Sequence, residues 1–451
     1  MNFSTTEFLF IFLPIGSALF YAVPRQFRLF VIVTMSLFFY GMSGDMALAL
    51  LVSTIIFSAC AALIITLFAK KLLFWAAVSV PFTLLFLFKY LSFSLDAFGA
   101  NEEIRGSVSF LLQYVIPAGI SFYTFQTVSY LIDVRDRNIL PEKNFMKLAA
   151  FICFFPQLIA GPILRFNNIS PQLDRIANAK RLYPDLRLAI KYISYGLAYK
   201  ILFSDILRSM HDQHDLTSSG SLDVLFAFLS YSLIIFFDFW SYSLMAIGLA
   251  KIFCIDLPRN FDEPYKSSSP KEFWRKWHIT LSYWLRDYLY IKLGGQNNYV
   301  RNILIVFLAC GVWHGAGWNF LVWGLYHAVL VIVYHLTREF WDSRNKVLMT
   351  IVTFFLISLG WPLFYLDFSS FVSMLGILLS FSGAQGELQY GLFSWGYLTL
   401  VMAWTFGVSE KKVLFNDHDV LFFDSPIVIG LVFSISVLFL HFSQTFIYFN
   451  F

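Results

Sequence analysis

The sequence predicts an all-α, polytopic membrane protein with about eleven to thirteen membrane helices, accompanied by re-entrant and interfacial helices. Three observations carry that expectation. The mean hydropathy of the 451 residues is +0.68. Hydrophobic residues make up 58% and charged residues 13%, against about 25% charged in an ordinary soluble domain. Twelve apolar stretches are near or above spanning length, which is roughly 17 to 25 residues. Phe, Tyr and Trp reach 20%, which suits lipid-facing surfaces and interfacial belts. We expect one integral membrane domain over 1–451, with nothing in its charge pattern suited to nucleic acid.

In chain order, the stretches lie near 7–23, 29–43, 47–68, 72–94, 108–132, 187–204, 222–250, 302–318, 320–336, 347–366, 391–408 and 426–449. The first follows Glu7 with no Lys or Arg ahead of it, unlike the basic start of a cleavable signal peptide, so it is expected to remain. Two further runs are ambiguous: 146–164 contains Pro156, Gly161 and Pro162, and 369–383 is short. Each could be re-entrant or tilted. Cys60, Cys153, Cys254 and Cys310 sit in or beside apolar runs at no metal-like spacing, which argues against a disulfide framework or a metal site.

Charge placement orients the spans. Arg25 and Arg28, then Lys70 and Lys71, then Arg135, Arg137 and Lys143 follow alternate segments, while the intervening loops carry Asp45 and the Glu102-Glu103 pair. The positive-inside rule puts the amino terminus outside. The basic stretch 165–191 then agrees with the loop before it only if 146–164 does not cross. The stretch from Asp205 to Asp215 falls outside and the loop from Lys251 to Arg301 inside. That loop holds nine Lys or Arg against five Asp or Glu, a surplus that serves either topology or an anionic cytosolic ligand.

Within the loop, Ser269-Pro270-Lys271-Glu272 has the form of a capping box with proline at the first helical position. At about 100° per residue, Phe273, Trp277, Leu281, Trp284, Leu285 and Tyr288 share one face, with Arg275, Lys276, Ser282, Arg286 and Asp287 opposite. Such a helix lies in the membrane interface. His278 falls within the apolar arc, where an imidazole must find a hydrogen-bond partner. It is either an interfacial residue bonded to a neighbouring carbonyl or part of a site.

His314 follows the mainly apolar run Asn302 to Trp313 and is flanked by Gly315 and Gly317, which admit close approach and a break in the helix. Asn319 adds another polar group to the same depth. Polar groups there usually line a cavity or pathway, although a helix-packing histidine bonded to another span is the competing reading. His327 and His335 read as packing or interfacial residues, and His211 is assigned no role.

No P-loop, dinucleotide fingerprint, HExxH or GxSxG arrangement occurs in the sequence, so nucleotide phosphoryl transfer, hydride transfer and a standard serine-esterase mechanism lack support. What remains is histidine. A neutral imidazole in a desolvated channel can take a proton from a hydroxyl while that oxygen attacks an activated acyl group.

Several ordered segments carry a resemblance: Pro117-Ala118-Gly119-Ile120-Ser121-Phe122-Tyr123-Thr124-Phe125-Gln126, Phe154-Phe155-Pro156-Gln157-Leu158-Ile159-Ala160-Gly161-Pro162-Ile163, Phe237-Asp238-Phe239, Met245-Ala246-Ile247-Gly248, Leu257-Pro258-Arg259-Asn260-Phe261, the run Lys271 to Gly295, and Trp313-His314-Gly315-Ala316. Together they place a motif-bearing core at about 110–336, and the chain resembles the membrane-bound O-acyltransferase family, in particular its bacterial branch that acetylates alginate. The resemblance implies a ring of tilted helices around a central tunnel, with His314 as the essential base and His278 as the second family histidine that positions or polarises substrate. Trp313, Asn319, Arg275, Lys276 and Arg286 are the substrate-binding candidates, the three basic residues for the phosphates of acetyl-CoA.

The chain departs from the branch at Leu244, where the pattern commonly has aspartate, and at Leu363-Phe364-Tyr365-Leu366, where it often reads FFRA. The first removes a charge from the 222–250 span, and the second removes a candidate phosphate or acceptor contact. The expectation is an O-acetyltransferase of the bacterial inner membrane with a periplasmic amino terminus and no cofactor or metal. It takes acetyl from cytosolic acetyl-CoA and delivers it to an exported polysaccharide or to a periplasmic acetyltransferase partner. D-alanyl or other acyl transfer to a cell-wall polymer, a transporter or flippase using His314 in a proton or solute path, and a catalytically silent scaffold are the alternatives.

Overall fold

The computed structural model describes residues 2–112, 116–212, 220–380, 390–415 and 422–447. Among them all regular secondary structure is helical. Five helices are long and apolar enough to cross a membrane: Asp45–Phe68, Lys71–Ala97, Ser221–Ile252, Trp318–Leu336 and Lys346–Phe364. This is a multi-pass membrane protein.

Among the described residues the remaining apolar stretches form shorter helices. Phe8–Ala22, Phe368–Ser380 and Pro426–Leu438 are the shorter apolar helices, and the ends of the 369–383 and 426–449 stretches lie outside the described residues. In the 108–132 stretch Ser109–Leu112 forms one helical turn, 113–115 lie outside the described residues, and a longer helix starts at Ile120, where Pro117 lacks an N–H and Gly119 takes a left-handed φ of 80° just before it. The ambiguous run 146–164 yields the nine-residue helix Phe145–Cys153, too short to cross a bilayer, followed by the single turn Phe155–Leu158.

The chain divides into two compact units, Met1–Ile193 with Tyr242–Pro258, and Ser194–Ser241 with Arg259–Phe451. The first is knit by aromatic packing: Phe3 lies 4.7 Å from Tyr242 and 5.5 Å from Phe39, and Phe155 packs edge-on to Phe12 at 5.5 Å, measured between ring centroids. Buried Arg28 donates to the carbonyls of Ile176 and Ala179 at 3.2 and 2.8 Å. It thereby satisfies the end of the Phe166–Asn178 helix.

The second unit carries the motif histidines. Its central element is the helix Ser221–Ile252, whose first two-thirds belong to this unit. The Tyr299–His314 and Trp318–Leu336 helices form a hairpin against each other. Their backbones approach at glycine: a Cβ on Gly311 would meet the Phe320 carbonyl, and one on Gly324 would meet the Phe307 carbonyl.

Candidate active site

The capping expected at Ser269 is present, and the Glu272 N–H donates to Ser269 Oγ at 3.2 Å. The continuous amphipathic helix expected beyond it is not. The helix Pro270–Lys276 stops at Trp277, whose backbone is extended, and a second helix, Ile279–Leu285, starts after His278. His278 itself has φ 41° and ψ 55°, a left-handed conformation that costs a non-glycine residue free energy and persists only where the surroundings impose it. They do so through the segment Asn260–Asp262. The Asp262 N–H donates to the Lys276 carbonyl at 3.0 Å and the Ile279 N–H to the Asn260 carbonyl at 2.9 Å. Asn260 Oδ1 also accepts from the Thr280 N–H at 3.3 Å and the Thr280 hydroxyl at 2.7 Å. The helical-wheel assignment of His278 to one face is therefore replaced by a kink that aims it separately.

His278 is 1% exposed, packed edge-on to Phe239 at 4.7 Å and to Trp313 at 5.9 Å. Burial pushes its pKa down to about 3. At neutral pH it is an uncharged ring able to donate or accept a hydrogen bond but not to supply positive charge.

His314 is the last residue of its helix, and Gly315 continues in extended conformation. A side chain at Gly315 would enter the Phe320 ring, so this glycine lets the chain leave the helix while keeping Phe320 against it. The His314 ring is 3% exposed and sits among Trp313, Trp323 and Phe364, at 4.9, 5.0 and 5.1 Å between centroids.

Both histidines line one mainly apolar cavity of about 340 Å³, walled by Trp274, Leu281, Phe307 and Cys310. Lys271, Arg275 and Arg286 line it as well. Lys271 is held below its ordinary pKa by partial burial and by the charges of Arg275 and Arg338, a like-charge crowding that a bound anion would relieve. Arg286 is engaged by Asp287 at 2.6 Å and stacks over Tyr283. The other three candidates lie off the cavity lining. Lys276 pairs with Glu272 at 2.8 Å one turn away, Trp313 packs between the two histidine rings, and Asn319 Nδ2 donates to the Leu363 carbonyl at 2.7 Å.

Residues 135–373 match the model of the MBOAT, membrane-bound O-acyltransferase family. This chain belongs to the membrane-bound O-acyltransferase family. It is similar to the peptidoglycan O-acetyltransferase of Helicobacter pylori, with 34% identity over 405 residues covering 80% of this chain and 76% of the relative. It is equally similar to the probable alginate O-acetylase of Azotobacter vinelandii, at 34% identity over 381 residues, 81% of this chain and 75% of the relative. The teichoic acid D-alanyltransferase of Bacillus subtilis is 29% identical over 269 residues, 54% of this chain and 68% of the relative. The protein is thus an enzyme, an O-acyltransferase of the membrane.

Two groups of this acyltransferase were not singled out by sequence reasoning. Lys200, fully buried, bridges Asp205 at 2.6 Å and Asp238 at 2.7 Å. The same carboxylates accept the backbone N–H groups of Gln444 and Ile447 at 3.2 and 2.7 Å, so the cluster ties down the segment 444–447. Charges inside the apolar stretches 187–204 and 222–250 were the available signal. The second group, around Glu410, is taken up below.

Proposed function

We propose that this acyltransferase moves acetyl from acetyl-CoA to a hydroxyl of an exported polysaccharide, directly or through a periplasmic acetyltransferase partner. The observation that carries the reading is one cavity that brings together His278, His314 and the cations Lys271 and Arg275. Its volume of about 340 Å³ suits the thioester arm of the donor, and the cations at its wall suit the CoA phosphates. The names of two relatives, a peptidoglycan O-acetyltransferase and a probable alginate O-acetylase, support acetyl as the group and a saccharide as its destination.

In this reading His314 removes the acceptor proton as the hydroxyl oxygen attacks the thioester carbonyl. The C–O bond forms, the C–S bond breaks, and the proton passes from the imidazole to the departing CoA thiolate. Neutral His278 donates a hydrogen bond toward the carbonyl oxygen as charge develops on it. Aromatic walls exclude water, which would otherwise hydrolyse the thioester. The enzyme sits in the inner membrane with the Lys251–Arg301 loop facing the cytosol.

Sealed vesicles test the arrangement. Radiolabelled acetyl-CoA supplied on the face carrying the Lys251–Arg301 loop should label an acceptor supplied on the other face. Labelling only when donor and acceptor share a face would refute transfer across the membrane.

A further inference from the structure

The short helix Glu410–Phe415 grips the segment 259–262, which holds the His278 kink, at two points. At its start the Trp240 indole N–H donates to Glu410 Oε2 at 3.1 Å, and the Trp240 ring packs edge-on to Phe261 at 5.5 Å. At its end the Phe415 ring lies 4.3 Å from the Arg259 guanidinium. Arg259 and Phe261 flank Asn260, whose carbonyl and side chain hold Ile279 and Thr280 just after His278. Phe261 also meets Trp277 at 5.0 Å and Phe239 at 5.1 Å, and Phe239 is the ring against which His278 packs at 4.7 Å. We infer that Glu410 is a positioning residue of the acyl transfer, one that fixes His278 through Trp240 and the segment 259–262. The inference rests on the acyltransfer reading above and adds to it a residue outside the lining of the cavity.

The surroundings favour the neutral acid over the carboxylate. Glu410 is 5% exposed and shares a small pocket with Phe236, Tyr265 and Thr405. The charged and titratable groups that face it are Glu263, Tyr265 and Lys266 from the segment 263–266 and Tyr199 from the Tyr199–Asp205 element. Lys266 is already engaged: its ammonium reaches Glu263 Oε1 at 3.0 Å and the Val408 carbonyl at 2.5 Å. Burial pushes the Glu410 pKa up to about 7 against the hydrogen bond of Tyr199; the charge of Glu263 adds to the rise, and Lys266 and the Trp240 N–H oppose it.

The sign of the pH effect follows. A carboxyl released from the pocket into water ionises at its ordinary pKa of 4.5, below the value it has in place. Rising pH therefore favours release between 4.5 and about 7, by about tenfold per pH unit, and adds nothing further above 7. Ionised Glu410 competes with Glu263 for Lys266, and Trp240 and Phe261 lose their anchor. Packed rings carry the change from Trp240 to His278. The bond from Lys266 to Val408 sets Glu410 beside the Lys251–Arg301 loop, so the pH that acts is that of the compartment this loop faces, the cytosol in the reading above.

Two readouts on the full chain in lipid nanodiscs test this. With the histidines labelled at ¹³Cε1, the His278 resonance is identified by its loss in His278→Gln. It should move between pH 5 and 7 in the native protein and stay fixed in Glu410→Gln; the ring itself does not titrate there, because burial holds its pKa at about 3. In turnover of acetyl-CoA, Glu410→Ala should lower kcat about tenfold with KM unchanged, and Glu410→Gln should restore the rate at pH 5. The ratio of native to Glu410→Gln rates should then fall about tenfold or more from pH 5 to 7. A His278 resonance that moves alike in the native protein and Glu410→Gln would overturn the inference, as would a rate ratio independent of pH or a native kcat in Glu410→Ala. Should Glu410→Ala not fold, the two comparisons with Glu410→Gln decide. Failure of the acyltransfer reading shows differently, as a native protein whose His278 signal follows Glu410 but which does not turn over acetyl-CoA.

Discussion

Replacing Lys200 by methionine removes the cation from a site where nothing else can neutralise the carboxylates. Lys200 and Asp205 side chains are 0% exposed and Asp238 is 1% exposed, so water cannot substitute. Deleting one partner of a buried ion pair costs about 3–5 kcal/mol, most of it from the charge left behind. Here two carboxylates would be left, 2.6 and 2.7 Å from the position the ammonium held. Their remaining oxygens hold the N–H groups of Gln444 and Ile447, so the loss extends to the segment 444–447. Buried Cys153 and Cys310 allow unfolding to be followed by their reaction with a thiol-specific dye, after exposed Cys60 is replaced by serine. Lys200→Met should lower the midpoint by roughly 5 °C, and the triple variant Lys200→Met, Asp205→Asn, Asp238→Asn should recover part of it. A single variant that melts with the native protein, or a triple variant that melts lower still, would refute the claim that uncompensated charge dominates.

Further outcomes follow from the histidine cavity. Lys271→Gln with Arg275→Gln should raise KM for acetyl-CoA about tenfold and leave KM for S-acetyl-pantetheine, which lacks the nucleotide phosphates, nearly unchanged. Asn260→Ala removes the acceptor that holds Thr280 and should cost about 1–3 kcal/mol of stability, with kcat falling as His278 loses its placement; an unchanged kcat would separate the kink from catalysis. Burial lowers the folded pKa of His278 from 6.5 to about 3. The unfolded chain therefore takes up a proton first, and stability attributable to this ring is complete above pH 6.5 and falls as pH drops toward 3, by up to about 1.4 kcal/mol per unit. His278→Gln should flatten that decline between pH 7 and 5 in the thiol assay.

Hydropathy made the helical membrane class legible, and the five long spans fall close to the stretches read from the sequence. Helix breaks were less legible. At His278 the periodicity continues unbroken through the residue, and the kink comes from hydrogen bonds with Asn260 and Asp262, which are distant in sequence. Asn319 reads from the sequence as a polar group that lines a cavity or pathway, and in the structure its amide donates to the Leu363 carbonyl. Lys200 and Asp238 could have been found, since charges at membrane depth require partners. The link from Glu410 could not, because Trp240, Phe261 and Glu410 come from three separated segments with no common spacing.

The base assignment has the most direct test. Full-length protein and His314→Ala, reconstituted together with the acceptor and radiolabelled acetyl-CoA, should differ by about 10² to 10⁴ in the rate of label transfer, while donor affinity stays the same. Equal labelling of the acceptor by the two proteins would contradict the account, since the reaction would then proceed without the imidazole on which it is built.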